Sequence, residues 1–386
     1  MSRRVFNFSA GPSVLPLPVL ERISEEMTCF SDTGVSILEL GHRTAAFTNV
    51  LAEAIERLRR ILKISDEYEV FFVQGGGRFI FSVLPMNFCL TDQPSQVGDY
   101  LVSGTWGASA LAEASNAGRG HCVWDGATLG YKCLPDVKTL LLSPDAAYLH
   151  YTSNETIEGV QFQGDLKSQL VKSQLVKSQL VKSQLVKSVP VICDMSSDFL
   201  SRPIDIQNYD MVYACIQKNL GPAGATLVIA KRELLNRSQD RMPGYCNLRN
   251  HAAAKSMYNT PPTFCIYVAN LVLQWFEEVF GDLETIGEFN RKKSQLIYDA
   301  IAKDSDVYQL HAQEDCRSQM NVTFRLPDTE TEKRLLVESE AAGLAFLAGH
   351  RSVGGIRASL YNAMPMEGAE ALAGFLAEFA YRAQNV

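Results

Sequence analysis

What this chain lacks excludes several kinds of protein. It has no excess of positive charge: 36 Lys and Arg stand against 43 Asp and Glu, a net charge of −7, so the electrostatic footprint of a nucleic-acid binder is missing. It has no Cys-x-x-Cys pair and no Cys/His cluster at metal-ligand spacing. Its nine cysteines are scattered, several inside apolar runs, and read as reduced core residues of a cytosolic protein that holds no metal. No apolar run reaches membrane-spanning length, and the opening Met1-Ser-Arg-Arg-Val-Phe6 has no apolar signal core. A cytoplasmic protein without a membrane partner is the expectation.

What is present has a globular texture. A chain of 386 residues with 46% hydrophobic and 20% charged residues can bury a large core and is long enough for two domains. Short β-rich segments recur between helical stretches: 68–73, 100–103, 148–151, 189–193, 211–216 and 226–230. Such alternation predicts an α/β fold with a mostly parallel, doubly wound sheet. After Pro261-Pro262 the pattern changes to a long helix over 263–280, with Phe264, Tyr267, Leu271 and Trp275 near one face. Strands at 320–325 and 355–361 follow, with flanking helices, and predict a smaller C-terminal α/β domain over 263–386 after a large domain over 16–262.

One segment breaks this texture. Lys-Ser-Gln-Leu-Val repeats in register over 167–188. On a helix each repeat turns the chain by a net angle of about 140°, and on a strand an odd period flips faces each time, so neither element gains a single apolar face. A pentapeptide β-helix needs more coils than these repeats supply. The segment reads as a weakly helical or disordered surface insertion.

Chemistry concentrates at strand ends. Asp194 closes the apolar run Val189-Pro-Val-Ile-Cys193, and Lys218 follows the run 211–216 at the mouth of a Gly-Pro-Ala-Gly turn. In α/β sheets such ends are where ligands bind. A lysine amine that can condense with an aldehyde, beside a carboxylate that keeps a pyridine nitrogen protonated, is what pyridoxal-phosphate chemistry requires. Taken singly, Asp194 could cap a turn and Lys218 could be a solvated strand-end lysine. A desolvating turn favours the chemical reading, because burial lowers a lysine pKa. Gly75-Gly-Gly-Arg78 follows a strand and should open a helix whose free N–H groups bind a phosphate, with Gly77 and Arg78 at its start. Trp106, just past Ser103-Gly-Thr105, is placed to stack on a flat ring.

With these residues in view, the chain resembles the phosphoserine aminotransferase family of class-V, fold-type-I pyridoxal-phosphate enzymes along almost its whole length. The resemblance rests on Asn7-Phe-Ser-Ala-Gly-Pro12, Gly41-His-Arg43, Gln74-Gly-Gly-Gly-Arg78, Ser153-Asn-Glu-Thr156, Gln217-Lys218, Tyr258-Asn-Thr-Pro-Pro262 and Gly349-His-Arg-Ser-Val-Gly-Gly-Ile-Arg-Ala-Ser-Leu-Tyr-Asn362. It implies a large domain with a mostly parallel seven-stranded sheet flanked by helices, a smaller C-terminal domain, and an N-terminal segment, 1–15, that joins the smaller one. It also implies pyridoxal 5'-phosphate held by Gly77, Arg78, Trp106, Thr156, Asp194, Gln217 and Lys218. Asn259 and Thr260 would reach the same phosphate across a homodimer interface.

For substrates, the resemblance implies L-glutamate and 3-phosphohydroxypyruvate. Arg357 would clamp the α-carboxylate, and His42, Arg43, His350 and Arg351 would take the phosphate or distal carboxylate, partly from the partner subunit. Arg78 also faces substrate, and Ser9 or Ala10 contributes a backbone contact, since Ala10 stands where the family sometimes has serine. Whether the related pyridoxine-pathway substrate is also used is open. Lys218 would be the acid and base, with Asp194 and Trp106 supporting it. Rival readings are an alanine–glyoxylate or serine–pyruvate aminotransferase, a cysteine desulfurase using Cys316 in Glu314-Asp-Cys-Arg317, or a non-catalytic scaffold spoiled by the repeat.

Overall fold

The computed structural model describes residues 4–89, 92–93, 95–170 and 189–385. Apart from the short antiparallel pair Asn154–Glu155 and Val160–Gln161, the strands in chain order are β1 (Phe6–Asn7), β2 (Tyr68–Gln74), β3 (Val97–Val102), β4 (Gly120–Asp125), β5 (Ala146–Thr152), β6 (Val191–Asp194), β7 (Met211–Cys215) and β8 (Ala225–Lys231). They continue with β9 (Gln309–Leu310), β10 (Asn321–Arg325), β11 (Leu344–Ala345) and β12 (Ile356–Ser359). The principal helices are α1 (Leu17–Glu26), α2 (Ala45–Ile61), α3 (Gly77–Phe88), α4 (Thr105–Asn116), α5 (Thr263–Val279), α6 (Leu283–Lys303), α7 (Thr329–Ala341) and α8 (Met366–Gln384).

Seven strands form the central sheet in the order β2-β8-β7-β6-β5-β3-β4. All neighbours pair in parallel except β8, which runs antiparallel to both β2 and β7. Both faces are covered, so the central strands are apolar throughout rather than alternating: β7 and β6 are buried at every residue. Strand β4 escapes a reading by apolar runs because it lies at the sheet edge, where only one side needs cover and His121 and Cys122 remain exposed.

Helix starts follow local chemistry. Thr44, Asp282 and Asp328 cap α2, α6 and α7 by accepting from the N–H groups of Phe47, Thr285 and Thr331. Helix α5 begins directly after Pro261-Pro262, as expected, but its buried face is rotated from the expected one. Ile266, Tyr267, Val268, Val272, Leu273 and Phe276 are buried, while Phe264, Leu271 and Trp275 are only half covered. The covered face is the one that meets α1 and α2, and Phe264, Leu271 and Trp275 lie at its margin.

Two of the apolar cores lie on either side of a seam, while a separate cluster with Phe71, Tyr100 and Val228 covers the other face of the central sheet. The side chains of α5 pack with those of the central sheet, whereas Ile297, Tyr298 and Ile301 of α6 pack with α8, β10 and β12. Leu283 and Ile286 at the start of α6 still belong to the first core, so the change of core falls along α6. The N-terminal segment bridges the two. Phe6 and Asn7 pair with Leu344 and Ala345, Phe8 is buried in the second core, and Ser13 donates to the carbonyl of Gln217.

The repeat is corrected in its first copy. Residues 166–170 are helical and packed: Leu166 and Leu170 are fully buried in the first core, and Lys167 pairs with Asp210 at 2.7 Å. The reading of 167–188 as wholly a surface insertion therefore fails at 167–170, because Asp165 and Asp210 supply local partners that a periodicity argument does not weigh. The remainder, 171–188, lies outside the described residues.

Candidate active site

The parallel strands end on one side of the sheet, and a cavity of about 350 Å³ opens there. Strand β6 delivers Asp194, and β7 leads into the turn that carries Gln217 and Lys218. Strand β5 leads to Thr156, β2 to Gly77 and Arg78 at the start of α3, and β3 to Trp106 at the start of α4. All seven side chains or backbones line this cavity, so the constellation expected from the strand ends is assembled in one place.

Lys218 donates through Nζ to Thr156 Oγ1 at 2.8 Å, and Nζ stands 5.8 Å from the centre of the Trp106 ring. Burial pushes its amine below the ordinary lysine range, with the Asp194 carboxylate opposing the shift. Burial likewise raises the Asp194 carboxyl, and Lys218 with the Ser196 N–H, 2.8 Å from Asp194 Oδ1, restrains the rise. Each group offsets part of the other's desolvation, which is how a closed site keeps a carboxylate and an amine in usable states.

Trp106 is held by residues that the sequence showed only as loop polars. Helix α4 has glycine, Gly104, at its N-cap and no side-chain cap of its own. Glu155 instead accepts from the N–H groups of Trp106 and Gly107, at 3.0 and 2.9 Å, and Glu158 accepts from that of Thr105 at 3.0 Å. Both carboxyls are raised by burial first, Glu155 further by its neighbour Glu158. A Cβ at Gly104 would stand 2.6 Å from Glu155 Cδ and 2.6 Å from Glu158 Oε2, so only glycine admits both acids against the helix start. The signal available was the pair of acids three apart after a strand end, which alone is common. Ser196, Ser197 and Cys215 also line the cavity and went unnoticed beside Asp194 and Lys218.

Among the expected substrate residues, Arg78 lines the cavity, and Arg357 meets a residue of its lining, its Nη1 donating to the Thr156 carbonyl at 3.3 Å. His350 lies within electrostatic range, since Arg357 and Arg351 both depress it after burial does. Ala10 offers its carbonyl to the Tyr361 hydroxyl at 2.8 Å, and Ser9 is turned back on Asn7 and Gly11. Within one chain, His42, Arg43, Asn259 and Thr260 do not line the cavity. Asn259 and Thr260 are anchored on Gln74 at the end of β2. Cys316 is buried, donates to the carbonyls of Lys132 and Gln313, and is pushed up to about 12 by burial, which removes it as a desulfurase nucleophile.

The donor set fits pyridoxal phosphate. Helix α3 presents an N-terminus with no side-chain cap to the cavity, the position at which a helix favours a phosphate. The indole Nε1 of Trp106 and the hydroxyl of Thr152 are buried beside the cavity with no protein partner. A carboxylate, an amine and an aromatic face complete what an aromatic aldehyde with a pyridine nitrogen needs.

Comparison with known proteins agrees with this chemistry. The aminotransferase class-V family profile matches residues 5–372. The chain is 44% identical over 377 residues to phosphoserine aminotransferase of Rhodopirellula baltica, covering 98% of this chain and 95% of that protein. It is 43% identical over 380 residues to the phosphoserine aminotransferase of Geobacillus kaustophilus, covering 98% and 99%. Among solved structures, phosphoserine aminotransferase from Bacillus circulans subsp. alkalophilus superposes with a TM-score of 0.90 at 43% identity over 99% of this chain and all of that one. The pyridoxal-phosphate-bound enzyme of Trichomonas vaginalis gives 0.83 at 35% identity, covering 97% and 99%.

Proposed function

Since the chain belongs to the class-V aminotransferase family, we propose that its cavity transfers the amino group of L-glutamate to 3-phosphohydroxypyruvate, giving O-phospho-L-serine and 2-oxoglutarate. The observation that carries this reading is the convergence of Lys218, Asp194, Trp106 and the uncapped start of α3 on one cavity, with Arg357 one hydrogen bond away. Pyridoxal 5'-phosphate, when bound, supplies an electron sink that eases removal of the substrate α-proton.

The chain's own residues do the rest. Lys218 Nζ, its basicity lowered by burial, takes and returns the α-proton, a role worth ~10²–10⁴-fold. Asp194 would keep a proton at the ring nitrogen of the bound cofactor, and the Trp106 face would cover the ring and exclude water. The N–H groups at Gly77 and Arg78, with Gln217, would hold the cofactor phosphate. Arg357 clamps the α-carboxylate common to both substrates through its planar fork. His350 and Arg351 of one subunit, with His42 and Arg43 of a second, take the phosphate of one substrate and the distal carboxylate of the other. Asn259 and Thr260 complete the cofactor phosphate site across a homodimer interface. Arg43 and Thr260 are exposed and His42 is half-buried, and that placement, with none lining its own cavity, supports a shared site. We place the enzyme in the cytoplasm.

The test is direct. The purified protein should be yellow, bleach on addition of glutamate, and recover its colour on addition of 3-phosphohydroxypyruvate. Bleaching with glutamate followed by recovery with glyoxylate or pyruvate as readily as with the phosphorylated acid would overturn the substrate assignment.

A further inference from the structure

The segment that follows Arg357 does not simply leave the site. It runs through Ser359 at the end of β12 to Asn362, a residue that is 3% exposed. The backbone N–H of Asn362 donates to Asn219 Oδ1 at 3.0 Å, and Asn219 is the residue next to Lys218. The side chain of Asn362 donates to the Leu200 carbonyl at 2.8 Å, in the loop that begins at Asp194. Its Oδ1 accepts from Asn290 on α6 at 2.9 Å, and that same amide group donates to the Ser201 carbonyl at 2.9 Å. Asn219 closes the circuit by donating to the Phe199 carbonyl at 2.9 Å.

Three buried amides therefore join three segments: the Asp194 loop, the Lys218 turn and the strand that carries Arg357. Two further features mark the junction as a built frame. Leu200 is held at φ 54°, a left-handed conformation that a leucine adopts only where its surroundings impose it. Lys293, fully buried on α6, donates to the carbonyls of Leu360, Tyr361 and Met364 at 3.1, 2.8 and 3.0 Å, and these bracket Asn362. Asparagine suits the position because it donates and accepts while remaining neutral; aspartate would lack the donor, and leucine would orphan both Asn290 and the Leu200 carbonyl.

We propose that Asn362, with Asn219 and Asn290, is a positioning hub that sets Lys218 and Asp194 in register with Arg357 across the seam between the two cores. None of the three touches substrate. They act by fixing where the reacting amine stands relative to the carboxylate clamp, and the kinetic part of this inference rests on the aminotransferase reading above.

Holoenzyme variants Asn219→Ala and Asn362→Ala, the double variant, and Asn290→Ala test it. Asn219→Ala removes one acceptor and one donor beside Lys218. It should lower kcat by roughly ten- to a hundredfold while the KM for glutamate moves by less than about threefold, since a misplaced amine costs rate more than binding. The visible circular dichroism of the bound cofactor should weaken in parallel, a readout that does not depend on turnover. Asn362→Ala keeps the backbone N–H that reaches Asn219 and removes the side-chain contacts to Leu200 and Asn290, so the double variant should lose more than either single one. Asn290→Ala also leaves the Asn362–Asn219 contact and the Asn362–Leu200 contact in place, so it should cost less than Asn219→Ala. If Asn362→Ala fails to fold, Asn219→Ala decides the matter. A kcat for Asn219→Ala within about threefold of the parent, with an unchanged dichroic band and only a lowered Tm, would make the cluster structural and overturn the hub. A parent holoenzyme with no transaminase activity would instead refute the functional reading, leaving the dichroic band to judge the hub.

Discussion

Lys218 donates its Nζ proton to the hydroxyl of Thr156 at 2.8 Å. The carbonyl of the same threonine accepts from Arg357 at 3.3 Å, so one residue touches both the amine and the guanidinium proposed as the carboxylate clamp. Glu155, its neighbour, accepts the first-turn N–H groups that orient Trp106. Glu155 and Thr156 thus set the spacing between the aromatic face, the amine and the proposed clamp, and this relationship sharpens what substitutions there should do.

Lys218→Ala should reduce transamination by at least about 10⁴-fold, since it removes the proton carrier as well as the amine that engages the cofactor. The phosphate contacts proposed for Gly77, Arg78 and Gln217 do not involve that amine, so the variant should stay folded and still bind pyridoxal phosphate. Cofactor retention after gel filtration, measured beside turnover, checks both halves. Activity within tenfold of the parent would remove Lys218 from its role.

Asp194→Asn should leave the fold intact, because the amide oxygen can still accept from Ser196 as the carboxylate does at 2.8 Å. Its activity should fall by several orders of magnitude, as each pKa unit of lost match between carboxylate and ring nitrogen is about 1.36 kcal/mol. Near-normal kcat with an unaltered Tm would mean that another acid faces the ring.

Arg357→Leu should raise the KM for glutamate and for 3-phosphohydroxypyruvate alike, by about tenfold to a hundredfold each, the loss of a charge-assisted bidentate contact. His350→Ala and Arg351→Leu should weaken the phosphorylated substrate or the distal carboxylate and leave alanine as a poor donor untouched. Steady-state kinetics on the three substrates separate the two patterns. Equal losses on all substrates from every variant would point to damage rather than recognition.

Asp194, Lys218, Gly77 and Trp106 were legible in the sequence because an α/β sheet puts them at strand ends, where a single polar residue after an apolar run stands out. Glu155, Glu158 and the three asparagines of the hub were not, because a buried polar residue and a solvated loop residue look the same until the partner is known. Asn219 and Asn290 are 71 positions apart, yet both meet Asn362. Strand β4 was missed for the opposite reason: an edge strand with exposed side chains carries no apolar run. The rotation of α5 reflects tertiary choice, since the helix has apolar residues on more than one face and α1 and α2 select which is covered.

Stability should fall steeply in mild acid. His150 is fully buried, its Nε2 lies 2.8 Å from the Tyr213 hydroxyl, and burial pulls its pKa down to about 3. The unfolded chain binds that proton near pH 6.5 and the folded chain does not, so between about 6.5 and 3 unfolding takes up a proton and stability rises with pH. The stabilisation is full above about 6.5 and is lost as pH falls, by up to a few kcal/mol at about 1.36 kcal/mol per unit. In His150→Gln the Tm should decline less between pH 7 and 5 than in the parent. A parallel decline in both proteins would assign the acid sensitivity elsewhere.

The repeat divides into a part that should matter and a part that should not. Leu170 is fully buried in the first core, and Lys167 joins Lys231 on the carboxylate of Asp210, which in turn accepts from the N–H of Val191 at the start of β6. That strand delivers Asp194, so the first copy of the repeat is tied to the frame of the site. Burying a leucine side chain contributes ~1.5–3 kcal/mol, and placing a charge there costs more. Leu170→Asp should therefore lower the Tm by many degrees or prevent folding. A deletion of 171–185 is different, because the register lets the flanking copies rejoin as Leu170-Val186 and keeps both Lys167 and Leu170. Loop closure costs only about 0.6 kcal/mol per doubling of length, so shortening the connection should be close to neutral or slightly stabilising. The deleted protein should fold and turn over within about threefold of the parent, while Leu170→Asp fails; a deletion that abolishes activity would show that the later copies are integrated as the first is.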